Sequence, residues 1–356
     1  MFKKSIHLLA IVAVLLAMAT NAGWAETGSV SEGGDSSVRY VAPYGSDDGP
    51  GTLTAPWRTV RKGLKTIQAG DTLYVRGGRY YERIQNPLLH SGNSNSPIHV
   101  TAYPGERPVI EGLLWIKAAN YWVFDGLNVT WGSSNSNTEH MVKFTNGVGW
   151  TFKNAEVWGA HSYADLLVAG TVPAQPANWT LSTNCIHDTY PTNGVNQDHN
   201  IYLNTGLTAG QGVIERNIIF NATNGENIKI GSPGVASSGS ANVSVRYNTL
   251  YNGAQNMLVG NMSHDNQMYR NIFTKTAANY GNVRGYQLNG ARNLVRDNIG
   301  GVAKSLLLND TGYLGVADAG GNQFPVNPMF DNTASCSGFR PLNTAAQPYG
   351  RYAPTN

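Results

Sequence analysis

The feature that most constrains this chain is an internal repeat in its middle part. One set of segments contains Asn or a similar residue and reads WVFDGLNV, WTFKNAEV, WTLSTNCI, VIERNIIF, VSVRYNTL, QMYRNIFT and NLVRDNIG. Each is followed by a short segment of alternating apolar residues, namely MVKFT, DLLVA, NIYLN, NIKIG, NMLVG, YQLNG and LLLND. Short strands that recur roughly every 20–35 residues are typical of a stacked solenoid. A β-sandwich would need hairpin signals at shorter, regular intervals.

The repeat therefore predicts an all-β fold, a single-stranded right-handed parallel β-helix over residues 39–356. Its corners are expected to carry a ladder of stacked side-chain amides. The recurring asparagines that would form this ladder are Asn217, Asn248, Asn271 and Asn298.

The N-terminus carries an export signal by sequence pattern. Residues 1–25 place Lys3 and Lys4 before an apolar run and end in small residues, as secretory signals do. Residues 26–38 are polar and rich in Gly and Ser, which predicts a flexible leader. We expect a secreted protein, extracellular or, in a cell with an outer membrane, periplasmic.

Charge excludes several kinds of partner. The chain has 25 Lys and Arg against 22 Asp and Glu, a net charge of +3, and loss of the signal removes two of the positive charges. A strongly basic nucleic-acid binder or a polybasic membrane anchor is therefore not expected. An anionic substrate held by a few local cations remains compatible with this balance. We expect a monomer with an anionic polysaccharide as its partner.

The segment after the leader predicts a short capping helix. Thr54-Ala55-Pro56 is expected to open the helix, because Pro is tolerated in the first turn, and residues 69–71 to end it. Its apolar stripe consists of Trp57, Val60, Leu64 and Ile67. The whole segment, YVAPYGSDDGPGTLTAPWRTVRKGLKTIQAGDTLYVRGGRYYER, resembles the N-terminal cap of secreted, pectate-lyase-like β-helix proteins. That superfamily includes lyases, hydrolases, epimerases and binding proteins, so the resemblance implies the fold more strongly than the substrate.

Alternation along the second segment of each repeat predicts which side chains face solvent. The residue between two inward apolar residues must point outward. Stacking the repeats gives an outward column of Lys143, Leu167, Tyr202, Lys229, Leu258, Gln287 and Leu307. A second column, two residues earlier, contains Met141, Asp165, Asn200, Asn227 and Asn256. Tyr202 and Lys229 should thus be neighbours about 4.8 Å apart.

This pair suits the β-elimination of a uronate polymer, in which a base removes the C5 proton and an acid protonates the leaving oxygen. Tyr and Lys titrate near each other and, side by side, shift each other's pKa. We expect Tyr202 to be the base and Lys229 the acid. His199 is a further proton carrier or carboxylate neutraliser. Asn200 and Asn227 either bind the uronate or form an amide ladder.

Several other residues are candidates around this pair. Tyr190, in the loop between Cys185 and His199, could bind substrate or replace Tyr202 as the base. Arg284 and Lys143 could each meet a substrate carboxylate at another subsite. A divalent cation such as Ca²⁺ or Mg²⁺ would have oxygen ligands from Asp165, Asp198 and Glu226.

Family comparison narrows the chemistry. The three Asp and the RIK motif of polygalacturonase-like hydrolases are absent, as are the Asp-Pro-His of mannuronan epimerases and the Arg-x-Pro-x-x-Arg of classical pectate lyases. A strand Lys with a Tyr resembles the compact β-helix alginate lyases of polysaccharide lyase family 31. We therefore expect a lyase of an anionic uronate polysaccharide, alginate first. A pectate-type lyase, a uronan C5-epimerase, a non-catalytic carbohydrate-binding surface protein and a glycoside hydrolase remain alternatives.

Two features remain open at the C-terminal end. Cys185 and Cys336 are the only cysteines, and two buried free thiols are as compatible with a solenoid as one disulfide. The final segment is expected to form the last coil, with Phe339 and Leu342 packing on the open end.

Overall fold

The chain winds into a right-handed parallel β-helix in which most coils contribute one strand to each of three sheets. The computed structural model describes residues 37–355, except 162, 172, 192–197, 233, 234 and 236. From Ser36 onward the chain forms one compact unit. The predicted signal and almost all of the predicted leader lie outside the described residues.

Sheet A has 11 strands and sheets B and C have nine each, with parallel pairing throughout. Sheet A contains β1 (Val38–Val41), β2 (Thr72–Val75), β5 (Ile98–Ala102), β8 (Trp122–Asp125), β11 (Thr151–Lys153), β14 (Trp179–Ser182), β17 (Gly212–Glu215), β20 (Val243–Arg246), β23 (Gln267–Tyr269), β26 (Leu294–Arg296) and β29 (Ala317–Asp318). Sheet B contains β3 (Gly78–Tyr80), β6 (Pro108–Glu111), β9 (Asn128–Thr130), β12 (Glu156–Trp158), β15 (Cys185–His187), β18 (Ile218–Phe220), β21 (Thr249–Tyr251), β24 (Ile272–Thr274) and β27 (Ile299–Gly300). Sheet C contains β4 (Arg83–Gln85), β7 (Leu113–Lys117), β10 (Val142–Thr145), β13 (Leu166–Ala169), β16 (Ile201–Asn204), β19 (Glu226–Ile230), β22 (Gln255–Gly260), β25 (Gly281–Tyr286) and β28 (Ser305–Asn309).

Helix α1 (Val60–Thr66) closes the N-terminal end of this stack. It begins later than the sequence pattern predicted, because Thr59 and not Thr54 is its N-cap and accepts from the Lys62 backbone N–H. Val60 and Leu64 bury the predicted apolar stripe against the first coil. Among the described residues, no helix is long and apolar enough to cross a membrane.

Stacked asparagines line two of the corners. The predicted ladder at the corner between sheets A and B is confirmed: each amide Nδ2 donates to the Oδ1 of the next coil's Asn, at 2.9–3.0 Å from Asn217 through Asn248 and Asn271 to Asn298. These bonds satisfy polar groups that are wholly buried at the corner, so the ladder fixes the alignment of successive coils.

The C-terminal segment does not form the last coil that the sequence led us to expect. Residues 324–355, here called the C-terminal strap, run back over the outer face of sheet B. Phe339 is wholly buried there, 4.9 Å from the ring of Phe220, whereas Leu342 is 56% exposed. A disulfide joins Cys185 on β15 to Cys336 in the strap, which resolves the open question about the two cysteines. The prediction failed because nothing in the strap's sequence specifies which face it covers.

Candidate active site

The outer face of sheet C presents one column of side chains that is largely the predicted one. Tyr202 on β16 pairs in register with Lys229 on β19, as the alternation pattern predicted. The observed column runs Trp115, Lys143, Leu167, Tyr202, Lys229, Leu258, Arg284 and Leu308. Gln287 and Leu307 are wrong, because β25 begins at Gly281 and so places Arg284 beside Leu258.

Lys229 is held by a chain of contacts that leads into the protein. Its Nζ lies 3.0 Å from Nε2 of His199, whose other ring nitrogen, Nδ1, lies 2.7 Å from Oε2 of Glu226. Nδ1 is also 3.2 Å from the Glu226 backbone N–H. The shorter contact is with a carboxylate, so Nδ1 carries the proton and Nε2 accepts from Lys229. This assignment gives the wholly buried Oε2 the donor that it otherwise lacks.

The three groups set one another's charge. Burial lowers the pKa of Lys229, and Glu226 offsets part of that effect. Burial also lowers the pKa of His199, which favours the neutral ring despite Glu226 beside it. For Glu226 burial acts in the opposite direction, but His199 and Lys229 hold its pKa below the usual value. The resulting state is a carboxylate, a neutral imidazole and an amine that loses its proton more easily than an exposed lysine.

Tyr202 forms the other half of the site. The Nζ of Lys229 lies 5.4 Å from the centre of the Tyr202 ring, and the ring of His199 lies 6.0 Å away. Burial raises the pKa of Tyr202, and a hydrogen bond with the Ser232 side chain offsets part of that rise. These directions oppose our expectation of roles: a lysine with a lowered pKa suits a base, and a tyrosine with a raised pKa suits an acid. These pKa directions therefore favour Lys229 as the base.

The structure places Asn200 and Asn227 in an amide ladder closed off from solvent, which favours that one of the two alternatives. Both are wholly buried, and Nδ2 of Asn200 donates to Oδ1 of Asn227 at 2.7 Å. Asn227 continues to Asn256 and Asn256 to Asn282, forming a second ladder at the corner between sheets B and C. Asn200 and Asn227 lie in the second predicted column, as the alternation pattern indicated, but both side chains are buried and do not face solvent.

The three carboxylates proposed as cation ligands do not come together. Asp165 accepts from the Ala160 backbone N–H, Asp198 accepts from the amide of Asn224, and Glu226 is engaged by His199. Across the described part of the chain, the only group of three or more His, Cys, Asp or Glu residues with ligand atoms within 4.8 Å of one another is Cys185, His187 and Cys336. Its sulfurs form the disulfide and are not free to ligate. The predicted cation site is therefore wrong as a set of residues.

The remaining candidates lie along the same face or beside it. Lys143 faces outward with its Nζ 4.8 Å from the Trp115 ring, three coils before Lys229. Arg284, two coils after Lys229, forms an ion pair with Asp310 at 2.9 Å. These two cations bracket the Lys229 and Tyr202 pair along the coil axis.

Tyr190 follows β15 of sheet B and is 51% exposed. Its ring packs edge-on against His161 at 5.6 Å. This position leaves Tyr202 as the tyrosine in contact with Lys229, so Tyr190 is not placed as the base.

Sequence reasoning missed one residue of the site, His140. Its ring lies 5.6 Å from the Tyr202 ring and 5.1 Å from that of Tyr163. A signal was available: His140 precedes outward Lys143 by three residues, as His199 precedes outward Tyr202. The two predicted columns reached back only to Met141, one residue after His140.

Comparisons with known proteins agree with this architecture. Residues 39–198 match a family model described as Pel9A-like, right handed beta helix region. The chain is 32% identical over 110 residues to pectate lyase PEL9 of Emericella nidulans, covering 25% of this chain and 27% of that protein. It is 37% identical over 82 residues to the uncharacterized protein YwoF of Bacillus subtilis, covering 23% and 17%. The matches thus span about a quarter or less of these relatives' lengths.

Two solved structures share the fold. A structure of XylC with xylose superimposes with a TM-score of 0.59 at 13% identity, covering 80% of this chain and 70% of that one. Pectate lyase Pel9A gives a TM-score of 0.51 at 17% identity, covering 90% and 87%. The resemblance inferred from the N-terminal cap is thus confirmed at the level of the match: residues 39–198 form a Pel9A-like, right-handed β-helix region, and the chain shares its fold with pectate lyase Pel9A.

Proposed function

We propose that this protein is a polysaccharide lyase that cleaves a uronate-containing polymer by β-elimination. The observation that carries the proposal is the placement of Lys229, held by the buried Glu226 and His199 pair and directed against Tyr202 on an uncovered sheet face. A structural lysine on a solvated sheet needs no such support. Perturbed titratable groups with a specific buried partner are typical of catalytic sites.

In the proposed reaction, the neutral amine of Lys229 removes the proton from C5 of a uronate. The electron pair of the C5–H bond forms the C4–C5 double bond, and the bond from C4 to the glycosidic oxygen breaks. The phenol of Tyr202 gives its proton to that oxygen, which leaves as a hydroxyl. His199 accepts a hydrogen bond from the ammonium formed on Lys229, and the Glu226 carboxylate stabilises that charge.

The substrate class follows from the chemistry, and the individual polymer is a finer proposal. A proton at C5 is acidic enough only when a carboxylate is attached to the same carbon, so uronates are required. The Lys and Tyr pair, with its resemblance to family 31, favours alginate. The similarity to pectate lyase PEL9 of Emericella nidulans favours pectate as the second candidate. Lys143 and Arg284 would meet carboxylates of neighbouring sugars on either polymer.

We further propose that the protein acts outside the cytoplasm as a monomer, with no nucleic-acid or membrane partner. The sequence of residues 1–25 supports export, and the bond between Cys185 and Cys336 suits an oxidising compartment. A requirement for Ca²⁺ or Mg²⁺ stays a prediction, now without the ligand set first assigned to it.

The test is to incubate the purified protein with polymannuronate, polyguluronate and polygalacturonate and to follow the ultraviolet absorbance of the unsaturated product. Lys229→Met should abolish the rise. Lys153→Met, at an outward lysine of sheet A paired with Asp125, is the matched control and should leave it unchanged.

Other outcomes identify the alternatives. New reducing ends without absorbance would indicate a hydrolase, and inversion at C5 detected by NMR would indicate an epimerase. Polymer binding without any product would indicate a carbohydrate-binding protein.

A further inference from the structure

Tyr202 has a second histidine beside it that the proposed reaction has not used. The ring of His140 lies 5.6 Å from the Tyr202 ring, on the side away from Lys229 along the coil axis. Ala164 stands in the coil between His140 and His199. Tyr163 packs edge-on against the same ring at 5.1 Å and fixes its orientation.

The hydrogen bonds of His140 define which nitrogen carries its proton. Nδ1 lies 3.1 Å from the backbone nitrogen of Ala164, and a backbone N–H can only donate. Nδ1 is therefore the acceptor, and in the neutral ring the proton is on Nε2. Within the described residues no protein acceptor bonds to Nε2, and the side chain is only half-buried. An N–H donor without a partner is thus available beside the phenol.

The surroundings keep this ring neutral. Burial, with the positive charges of Lys143 and Lys229 and the ring of His199, lowers the pKa of His140 to about 3, and Glu139 offsets only part of that effect. His140 therefore differs from His199. His199 donates a hydrogen bond from Nδ1 to a carboxylate and accepts one from Lys229 at Nε2, whereas His140 accepts from the backbone at Nδ1 and has Nε2–H left to donate.

We infer that His140 is a catalytic residue whose Nε2–H donates a hydrogen bond to the carboxylate of the uronate from which Lys229 removes the C5 proton. The inference rests on the proposed lyase function and deepens it. When the C5–H bond breaks, its electron pair spreads onto the oxygens of that carboxylate before the C4–O bond breaks. The neutral His140 ring is already in place and stabilises this added charge by a hydrogen bond. It transfers no proton, so its own protonation state does not change during the reaction.

The test compares three variants. His140→Phe keeps an aromatic ring for Tyr163 and Tyr202 but has no donor, and His140→Gln restores an amide N–H. His99→Phe, at a half-buried outward histidine on β5 of sheet A, is the matched control. Loss of one such donor costs about 10²–10³-fold in kcat, so we expect that loss in His140→Phe with KM nearly unchanged. We expect His140→Gln to recover at least about tenfold of it and His99→Phe to match the wild type.

A second measurement separates this inference from the lyase proposal. In ¹⁵N NMR of histidine-labelled protein, the His140 signals, assigned by their loss in His140→Phe, should show a neutral Nε2–H ring at pH 5. Hexamers of mannuronate and galacturonate should shift Nε2 and not Nδ1. Product formation with equal rates in His140→Phe and His99→Phe would overturn the inference and leave the lyase intact. If no polymer yields unsaturated product, a hexamer-induced Nε2 shift would retain His140 as a carboxylate-binding residue, and its absence would end both proposals.

Discussion

The outer faces of sheets B and C differ although the same coils build both. On sheet B the strands β15, β18 and β24 are buried on both faces, because the C-terminal strap lies over them. On sheet C the strands β10, β13 and β16 alternate between buried and half-exposed residues. The covered face carries Cys185, Ile218 and Phe220 in an apolar cluster with a disulfide. The uncovered column instead places charged and aromatic residues between its leucines.

This contrast separates residues that stabilise the coil from residues available for chemistry. Phe220 and Cys185 look outward from their sheet, yet they are core residues of a second, smaller hydrophobic cluster. Lys229 and Tyr202 look outward and meet solvent on one side and the buried His199 on the other. Variants on sheet B should therefore change stability, and variants on sheet C should change activity.

Removal of the proposed general acid, the phenol of Tyr202 on sheet C, should give the largest effect on kcat. Tyr202→Phe keeps the ring that Lys229 contacts but loses the phenolic proton. We expect kcat to fall by about 10²–10⁴-fold, the usual contribution of general acid–base catalysis. Tyr74→Phe, at an outward tyrosine stacked on Tyr40 in sheet A, should retain wild-type kcat. Equal kcat in both variants would remove Tyr202 from the reaction.

A cavity made under the C-terminal strap by Phe339→Ala should have the next largest effect. We expect it to change stability and not activity. Phe339 is wholly buried against Phe220 and Tyr251, and truncation of such a side chain costs about 3–5 kcal/mol. Phe339→Ala should lower the midpoint of urea unfolding, with the kcat of the folded fraction unchanged. A fall in kcat without a change in the midpoint would contradict the division between the two faces.

Substitution of Glu226, which lies behind Lys229 in the protein interior, should shift the pH dependence of kcat/KM. Glu226 raises the pKa of Lys229 against the effect of burial, so Glu226→Gln should lower it. The base is active when neutral, and activity therefore rises with pH through that pKa. The acidic limb of kcat/KM should therefore move to lower pH in Glu226→Gln. An unchanged limb, or one at higher pH, would show that Glu226 does not act through Lys229.

The smallest effect is expected at the end of the ladder between sheets B and C. Asp165 and Asn200 occupy neighbouring coils, and each has one wholly buried oxygen with no partner among the described residues, Oδ2 of Asp165 and Oδ1 of Asn200. Burial raises the pKa of Asp165 well above its usual value. We therefore expect a protonated Asp165 to donate the hydrogen that the Asn200 oxygen lacks and so to end the ladder.

The sign of the resulting pH dependence follows. The unfolded chain releases the Asp165 proton near the ordinary pKa of 3.8 and the folded chain only at higher pH, so stability falls as pH rises between the two values. Asp165→Asn cannot ionise and extends the ladder with Nδ2. Urea unfolding should show equal stability at pH 3 and a more stable variant at pH 7. A less stable variant at pH 7 would contradict a neutral Asp165.

Much of this architecture could be predicted because it depends on local periodicity. A period of two decides which face a side chain takes, and this placed Tyr202 beside Lys229 correctly. The asparagines recur because each corner must bond the same backbone groups, and this identified the ladder at Asn217 and Asn248.

The rest depends on contacts that sequence spacing does not encode. The C-terminal strap is held on sheet B by the packing of Phe339 and by the disulfide of Cys336. Neither residue belongs to the repeat, so the repeat pattern does not predict where the strap lies. The prediction for the last coils was wrong because β25 is six residues long and starts at Gly281, before the repeat segment YQLNG. His140 contacts Tyr202 from two coils away, and the spacing of the repeats does not predict a contact between coils that are not adjacent.

The central claim is that the amine of Lys229 is the base on the uncovered face. The most direct measurement replaces Lys229 by Cys and then rebuilds the amine by reaction with 2-bromoethylamine. The chain's two natural cysteines are bonded to each other, so the new thiol is the only one free to react. We expect Lys229→Cys to lose about 10³-fold or more of the lyase rate, aminoethylation to restore a large part of it, and propylation to restore none. Equal rates for the aminoethylated and propylated proteins would contradict the account.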